Sequence, residues 1–167
     1  GALEIVTKTL HLPMQDYTEE ELEWSRDERE QLYNERSFLN HRRRLKLSIW
    51  GVQPPLDKLC MYEAVAPAVS GEPWRLPVEI HVFKLDSQTA IVTMPGEMFT
   101  EFGIDIKKRS PFANTMLIEL ANIDIAYIPT IRGFQEGDYE AINSRLVPGS
   151  GEKMVDAALE ILHELKN

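Results

Sequence analysis

The sequence predicts an α/β or α+β fold, a mixed β-sheet with helices packed on it, within a single domain. Three observations carry this expectation. Runs rich in β-branched residues open the chain ("LEIVTKTLHLP") and recur in its middle ("LPVEIHVFKLDSQTAIVTMPG"). Two short, nearly unbroken apolar runs, "TAIVTM" and "NTMLIELAN", have the composition of strands covered on both faces. The C-terminal "SGEKMVDAALEILHEL" repeats its apolar residues at the period of a helix.

The first strand is expected to end at Pro13. Thr18 with Glu21 forms a capping box, each side chain satisfying the other's free backbone amide, so a helix is expected from about Glu19 to Tyr33 with Leu22 and Trp24 inward. A second helix is expected from about Glu35 to Trp50, broken by Gly51 and Pro54-Pro55. A short helix to about Ala66 and a loop at "PAVSGEPW" follow. The mid-chain strands form a hairpin around Asp86-Ser87, with Val78, Ile80 and Val82 on one face. "EMFTEFGIDIKKR" reads as a helix with Phe99, Phe102 and Ile106 on one side; its basic last turn complements the helix dipole, and Ser110-Pro111 closes it. "IDIAYIPT" is a further candidate strand, and "IRGFQEGDYEAINSRLVPGSG" reads as a long irregular loop. In the last helix Met154, Ala158, Ile161, Leu162 and Leu165 should face inward.

With 167 residues, 43% hydrophobic and 27% charged, the chain is long enough and apolar enough for one sizeable core. A net charge of -9 argues against nucleic acid and anionic membranes as partners, both being polyanions. The dense basic run, Arg42 to Lys46, reads as a solvated or ion-paired helix face. A single cysteine, Cys60, rules out an internal disulfide and reads as a small buried residue. No run approaches the roughly 18 apolar residues of a membrane span. Gly1-Ala2 reads as an expression scar, and the strand-like opening without an initiator Met suggests a portion of a longer protein.

His11, His41, His81 and His163 are scattered, without metal-ligand spacing, and "HEL" lacks the second histidine of a zincin helix. "GSGEK" lacks the preceding strand and the spacing of a phosphate loop, and no Gly-x-Ser-x-Gly elbow occurs. Two places stand out. Glu97 follows an apolar strand at the Pro95-Gly96 turn; it is either a site carboxylate or one favoured by a helix N-terminus. Tyr127 and Tyr139 lie twelve residues apart, the first ending an apolar run and the second in a polar loop; taken alone they read as packing residues.

Together these two places resemble one family. "MPGEMFTEFG" is similar to the Pro-Gly-Glu-Phe-Thr segment of the neutral (non-lysosomal) ceramidases and their shorter bacterial relatives. "NIDIAYIPTIRGFQEGDYEA" resembles that family's later block, in which Tyr-Ile-Thr-Thr precedes Tyr-Glu-Ala, with matching tyrosine spacing. "VPGSGEKMVDAALEIL" resembles the end of its catalytic domain. The similarity runs from about Pro77 to Leu165, and the opening strand and "TEEELEW" resemble the bacterial relatives. Departures occur at "IDIAY", which is more hydrophobic and acidic than that block, and at "SRLVPGSG", which replaces a Ser-Thr-Ile-Tyr-Gly-Pro run. The family's paired histidines and its serine-containing segment, which belong to the N-terminal half, have no counterpart here.

The resemblance implies the C-terminal portion of the catalytic domain of a zinc amidase, which splits an N-acylsphingosine into sphingosine and a fatty acid. It implies that Glu97 and Tyr127 are zinc ligands and that Tyr139 sits near the reacting carbonyl, as a catalytic residue. Two histidine ligands would come from the N-terminal half of the same protein, so this chain alone is expected to be inactive and to bind zinc weakly. The implied partners are that N-terminal half and a lipid or N-acyl amide substrate. The implied compartment is secreted or periplasmic, although no signal peptide is visible. Self-association through an apolar patch beside Glu97 and Tyr127 is also expected. Two other readings stand beside this one: a non-catalytic α/β interaction or scaffold module, and a metallohydrolase of another ester or amide.

Overall fold

The computed structural model describes residues 3–15 and 75–167 apart from residue 138. The expected helices from Glu19 to Tyr33 and Glu35 to Trp50, the segment to Ala66, the "PAVSGEPW" loop, the Arg42–Lys46 run, His41 and Cys60 lie outside the described residues.

A mixed four-stranded sheet forms the frame. Strand β1 (Glu4–Pro13) pairs antiparallel with β2 (Arg75–Lys84). The expected hairpin joins β2 to β3 (Thr89–Thr93) around Asp86, whose carboxylate accepts the Gln88 amide at 2.7 Å. The chain then passes through a two-residue strand, β4 (Glu97–Met98), and helix α1 (Thr100–Arg109) before returning as β5 (Asn114–Ile118), parallel to β3. The sheet order is β1-β2-β3-β5. A second, two-stranded parallel sheet joins β4 to β6 (Tyr127–Ile128). Two short helices, α2 (Ile131–Glu136) and α3 (Tyr139–Ile142), lead to the long helix α4 (Ser150–Lys166).

Alternation decides which face is core. Val78, Ile80 and Val82 of β2 are fully buried, as are Ala90 and Val92 of β3; α4 packs on β1 and β2, and α1 on β5. Helix α4 supplies Met154, Ala158, Ile161, Leu162 and Leu165, the five inward residues expected from its periodicity, and all are buried. Each such aliphatic side chain, withdrawn from water, contributes about 1.5–3 kcal/mol. Helix α1 is anchored by Phe102 and Ile106; Phe99 sits half-buried at its N-cap.

Three expectations change. The "NTMLIEL" run is not covered on both faces: among the described residues β5 is an edge strand, and its Met116 and Ile118 are 46% and 48% exposed. Its composition reflects one face packed under α1 and a second that continues the row Ile5, Phe83, Ile91, Met116 across the sheet. "TAIVTM" likewise has a buried face and, at Ile91, a half-buried one. Finally, the segment after Thr130 is not irregular. Thr130 caps α2 by accepting the Gly133 amide at 3.0 Å, and Gly137, at φ 81°, ends it.

Helix α4 meets α1 at one close point. A Cβ on the buried Gly151 would lie 2.4 Å from Cζ of Phe102 and 3.0 Å from Cγ2 of Ile128. Gly151→Ala should therefore lower the free energy of unfolding in denaturant titrations by about 1–3 kcal/mol, the usual cost of overpacking. An exposed helical glycine would instead gain about 1 kcal/mol from the same change, and a gain here would show that the helices do not approach this closely.

Candidate functional site

Strand β3 ends at the fully buried Met94, whose amide donates to the Ile118 carbonyl at 2.8 Å. Pro95 and Gly96 then turn the chain. Gly96 has φ 72°, and a Cβ there would sit 2.6 Å from the Ala126 carbonyl oxygen and 2.7 Å from Cγ1 of Ile125. Only glycine accepts both the left-handed backbone and this close approach. Because it does, the 120–126 segment lies directly against the turn. The Gly96 amide donates to Ile123 O (3.1 Å), the Glu97 amide to Ala126 O (3.0 Å), and the Leu120 amide to Gly96 O (3.0 Å).

That segment carries its own strain. Leu120, Asn122 and Ala126 have φ of 53°, 72° and 64°, a region that costs a non-glycine residue roughly 1–2 kcal/mol. Asp124 offsets part of the cost at Ala126 by accepting its amide on Oδ1 at 2.8 Å. Both Glu97 and Tyr127 thus follow a residue in the left-handed region, and the two are direct register partners in the β4–β6 pair.

The side chains meet accordingly. The Tyr127 side chain lies beside the Glu97 carboxylate on the paired strands. Burial, together with that neighbouring carboxylate, pushes the Tyr127 pKa up to about 12. Tyr139 packs edge-on against Tyr127, with ring centroids 5.4 Å apart and planes at 73°. Asn143 steadies the Tyr139 turn by donating its side-chain amide to Tyr139 O at 2.7 Å. The three residues singled out in the sequence are therefore gathered at one place, at the end of the sheet where β3 gives way to β4.

Glu97 does not sit at a helix N-terminus. Helix α1 begins three residues later, and Glu97 belongs to β4. The helix-dipole reading of this carboxylate is thereby displaced, since the dipole acts only within the first turn.

Other residues join them. An open cleft of about 320 Å³ is lined by Glu97, Met98, Phe99, Thr100, Glu101, Glu119, Tyr127 and Glu140. Four of these eight are carboxylates and none is basic, so the described wall of the cleft favours a cation over an anion. Glu119 is held in place by accepting the Met98 amide on Oε2 at 3.0 Å. Sequence reasoning missed Glu119 and Glu101. The available signal was weak: Glu119 interrupts an apolar run just beyond a strand, and Glu101 lies four residues after Glu97.

The described histidines are elsewhere. His81 lies within β2, its Nδ1 2.7 Å from the Thr7 hydroxyl, while His11 is on β1 and His163 on α4. Among the described residues no group of three or more His, Cys, Asp or Glu side chains is arranged to hold a metal ion. The oxygens of Glu97 and Tyr127 both belong to residues that line the cleft.

Neither a protein-family model nor a curated protein sequence matches the chain. Among solved structures it is similar to one described as "Ceramidase complexed with C2", at 16% identity with a TM-score of 0.48. The match covers 58% of this chain, which spans only 16% of the length of that one.

Two outcomes test the geometry. Glu97→Gln should bring the Tyr127 pKa down from about 12 towards the ordinary phenol value near 10, read by ultraviolet titration of phenolate against a Tyr127→Phe reference. Because folding raises this pKa, the stability it contributes is complete below about pH 10 and is lost as pH rises from there through 12. An unmoved titration would show that the two side chains do not interact. Gly96→Ala should unfold at least about 2 kcal/mol more easily, through left-handed strain and backbone overlap together, as measured in denaturant.

Proposed function

We propose that this chain forms one wall of the active site of a zinc-dependent amide hydrolase resembling the neutral ceramidases, and that it is the C-terminal portion of that catalytic domain. The observation that carries the reading is the side-by-side placement of Glu97 and Tyr127 on paired strands, with Tyr139 against them. The supporting sequence feature is the Pro-Gly-Glu turn followed, at the expected distance, by the tyrosine pair.

In this reading Glu97 and Tyr127 would hold the metal with two oxygens, and two imidazoles would come from the N-terminal half of the protein. Zinc accepts such a mixed nitrogen and oxygen set in four-coordinate geometry. A bound zinc would polarise the scissile carbonyl and lower the pKa of an attacking water. Without metal, the Tyr127 hydroxyl keeps its proton at neutral pH, so metal binding would have to displace that proton and should tighten as pH rises. Tyr139 would donate a hydrogen bond to the carbonyl oxygen as negative charge develops on it. A single donor of this kind contributes roughly 10²–10³ in rate. The substrate is an N-acyl amide without a negative charge near the scissile bond, because Glu101, Glu119 and Glu140 would repel one.

Calorimetry and activity test the reading separately. The isolated chain should bind zinc no tighter than micromolar, since two oxygens without imidazole partners leave the coordination shell half filled. Sub-micromolar zinc binding by this chain that requires both Glu97 and Tyr127 would overturn the shared-site assignment. In the full-length protein, Glu97→Gln and Tyr127→Phe should each lower zinc content and reduce kcat/KM on N-acyl amides by at least about 10²-fold. Retained zinc and full activity in both variants would remove these residues from the site.

A further inference from the structure

We propose that the outer edge of β5, flanked by α1, is a self-pairing surface through which two copies of this chain associate about a two-fold axis. Among the described residues, β5 ends the four-stranded sheet. The Asn114 amide donates inward to Gln88 O (2.9 Å), and Ile118 O accepts inward from Met94 (2.8 Å). Backbone groups alternate direction along a strand, so Thr115 and Leu117 turn theirs towards the free edge.

The two edges of the sheet differ in kind. β1, at the far side, carries the devices that discourage pairing: Lys8 in an ion pair with Glu160, Glu4 paired with Lys84 at 2.7 Å, and Pro13. β5 reads Asn-Thr-Met-Leu-Ile, with no charge, no proline and two exposed apolar side chains, Met116 and Ile118. Such an edge is a template for a further strand.

Helix α1 extends this surface beside the edge. A shallow groove of about 210 Å³ runs between them, with Phe99, Ile104 and Leu117 as its apolar wall and Thr100, Lys107 and Glu119 as its polar one. Ile104, 61% exposed, is the most exposed large apolar residue of the helix. Its neighbours decide the occupant. Glu101 lies three residues before Ile104 and Lys107 three residues after it. An antiparallel β5–β5 pair centred on Met116 sets Thr115 opposite Leu117 of the second copy, so that each exchanges its outward amide and carbonyl. The same two-fold axis, perpendicular to the sheet, keeps both α1 helices on one face and runs them antiparallel. Glu101 of each copy then approaches Lys107 of the other, and the two Ile104 side chains meet near the axis. The surface is complementary to itself in charge, hydrogen bonding and apolar contact, which is what an isologous interface requires.

The contact is small. An edge of five residues and a helix of ten give a few hundred Å² per partner, below the roughly 800 Å² of a standard interface, so association should be reversible. Sedimentation equilibrium of the chain over roughly 5–500 µM, a range suited to an interface below standard size, should show a monomer–dimer equilibrium. Ile104→Arg, at an exposed position, should leave the circular dichroism unchanged and weaken the dimer at least tenfold. Glu101→Lys should weaken it too, and adding Lys107→Glu should restore it, a rescue that only the antiparallel register produces. A monomer at every concentration would overturn the proposal. So would a dimer indifferent to Ile104→Arg but lost in Ile5→Arg, which would place association on the open face of the sheet instead.

Discussion

The close approach of the 120–126 segment to the turn at Gly96 is the constraint on which the site depends. A Cβ at that position would overlap the Ala126 carbonyl, and the glycine's left-handed backbone sets the direction in which β4 leaves the turn. Three backbone hydrogen bonds then hold the turn against the 120–126 segment, and the Phe99 amide donates to Ile128 O of β6 at 3.2 Å. Glu97 and Tyr127, thirty residues apart in sequence, become register partners as a consequence. Strain at Leu120, Asn122 and Ala126 accompanies this arrangement, and such strain persists only where the surrounding packing over-determines it.

The surrounding packing comes mainly from α4. Its N-terminal turn is pressed against Phe102 and Ile128, tying the long helix at once to α1 and to the strand that carries Tyr127. Glu152, in the first turn of α4, accepts the Ile131 amide at 2.9 Å and so fixes the start of α2, which leads to Tyr139. The core and the cleft are therefore not separable parts. The helix that supplies much of the buried apolar surface also sets the distance between the two tyrosines.

The cleft is electrostatically one-sided. Carboxylates from β4, α1, the end of β5 and α3 converge on it, and its described lining has no basic residue to balance them. Tyr127 adds no further charge, since burial and the neighbouring Glu97 carboxylate keep its hydroxyl protonated. An arrangement of this kind favours a cation or a positively charged group and repels phosphate or carboxylate ligands. The β5 edge, open among the described residues, lies at the same end, with Glu119 bordering both the cleft and the groove beside α1.

Much of the fold was legible in the sequence because local chemistry repeats. The β-branched run ending at Pro13, the Asp86-Ser87 turn and the apolar stripe of α4 each follow from residue spacing, and each lies where that spacing places it. The Pro-Gly-Glu turn and the tyrosine pair were also visible as unusual stretches. Burial of β5 was misjudged, since an apolar run does not reveal whether its second face meets another layer or the edge of the sheet. The helix α2 was hidden because its cap is a single hydroxyl contact from Thr130. Glu119 and Glu101 were invisible as cleft residues, because their proximity to Glu97 is created by a parallel crossover and a short second sheet. Sequence alone determined which residues could be core and which turn needed glycine, since those are properties of side-chain size, polarity and backbone freedom. Only the tertiary structure decided that Glu97 and Tyr127 share one cleft with Tyr139 packed against it, because their meeting rests on hydrogen bonds and packing between segments that no local pattern connects.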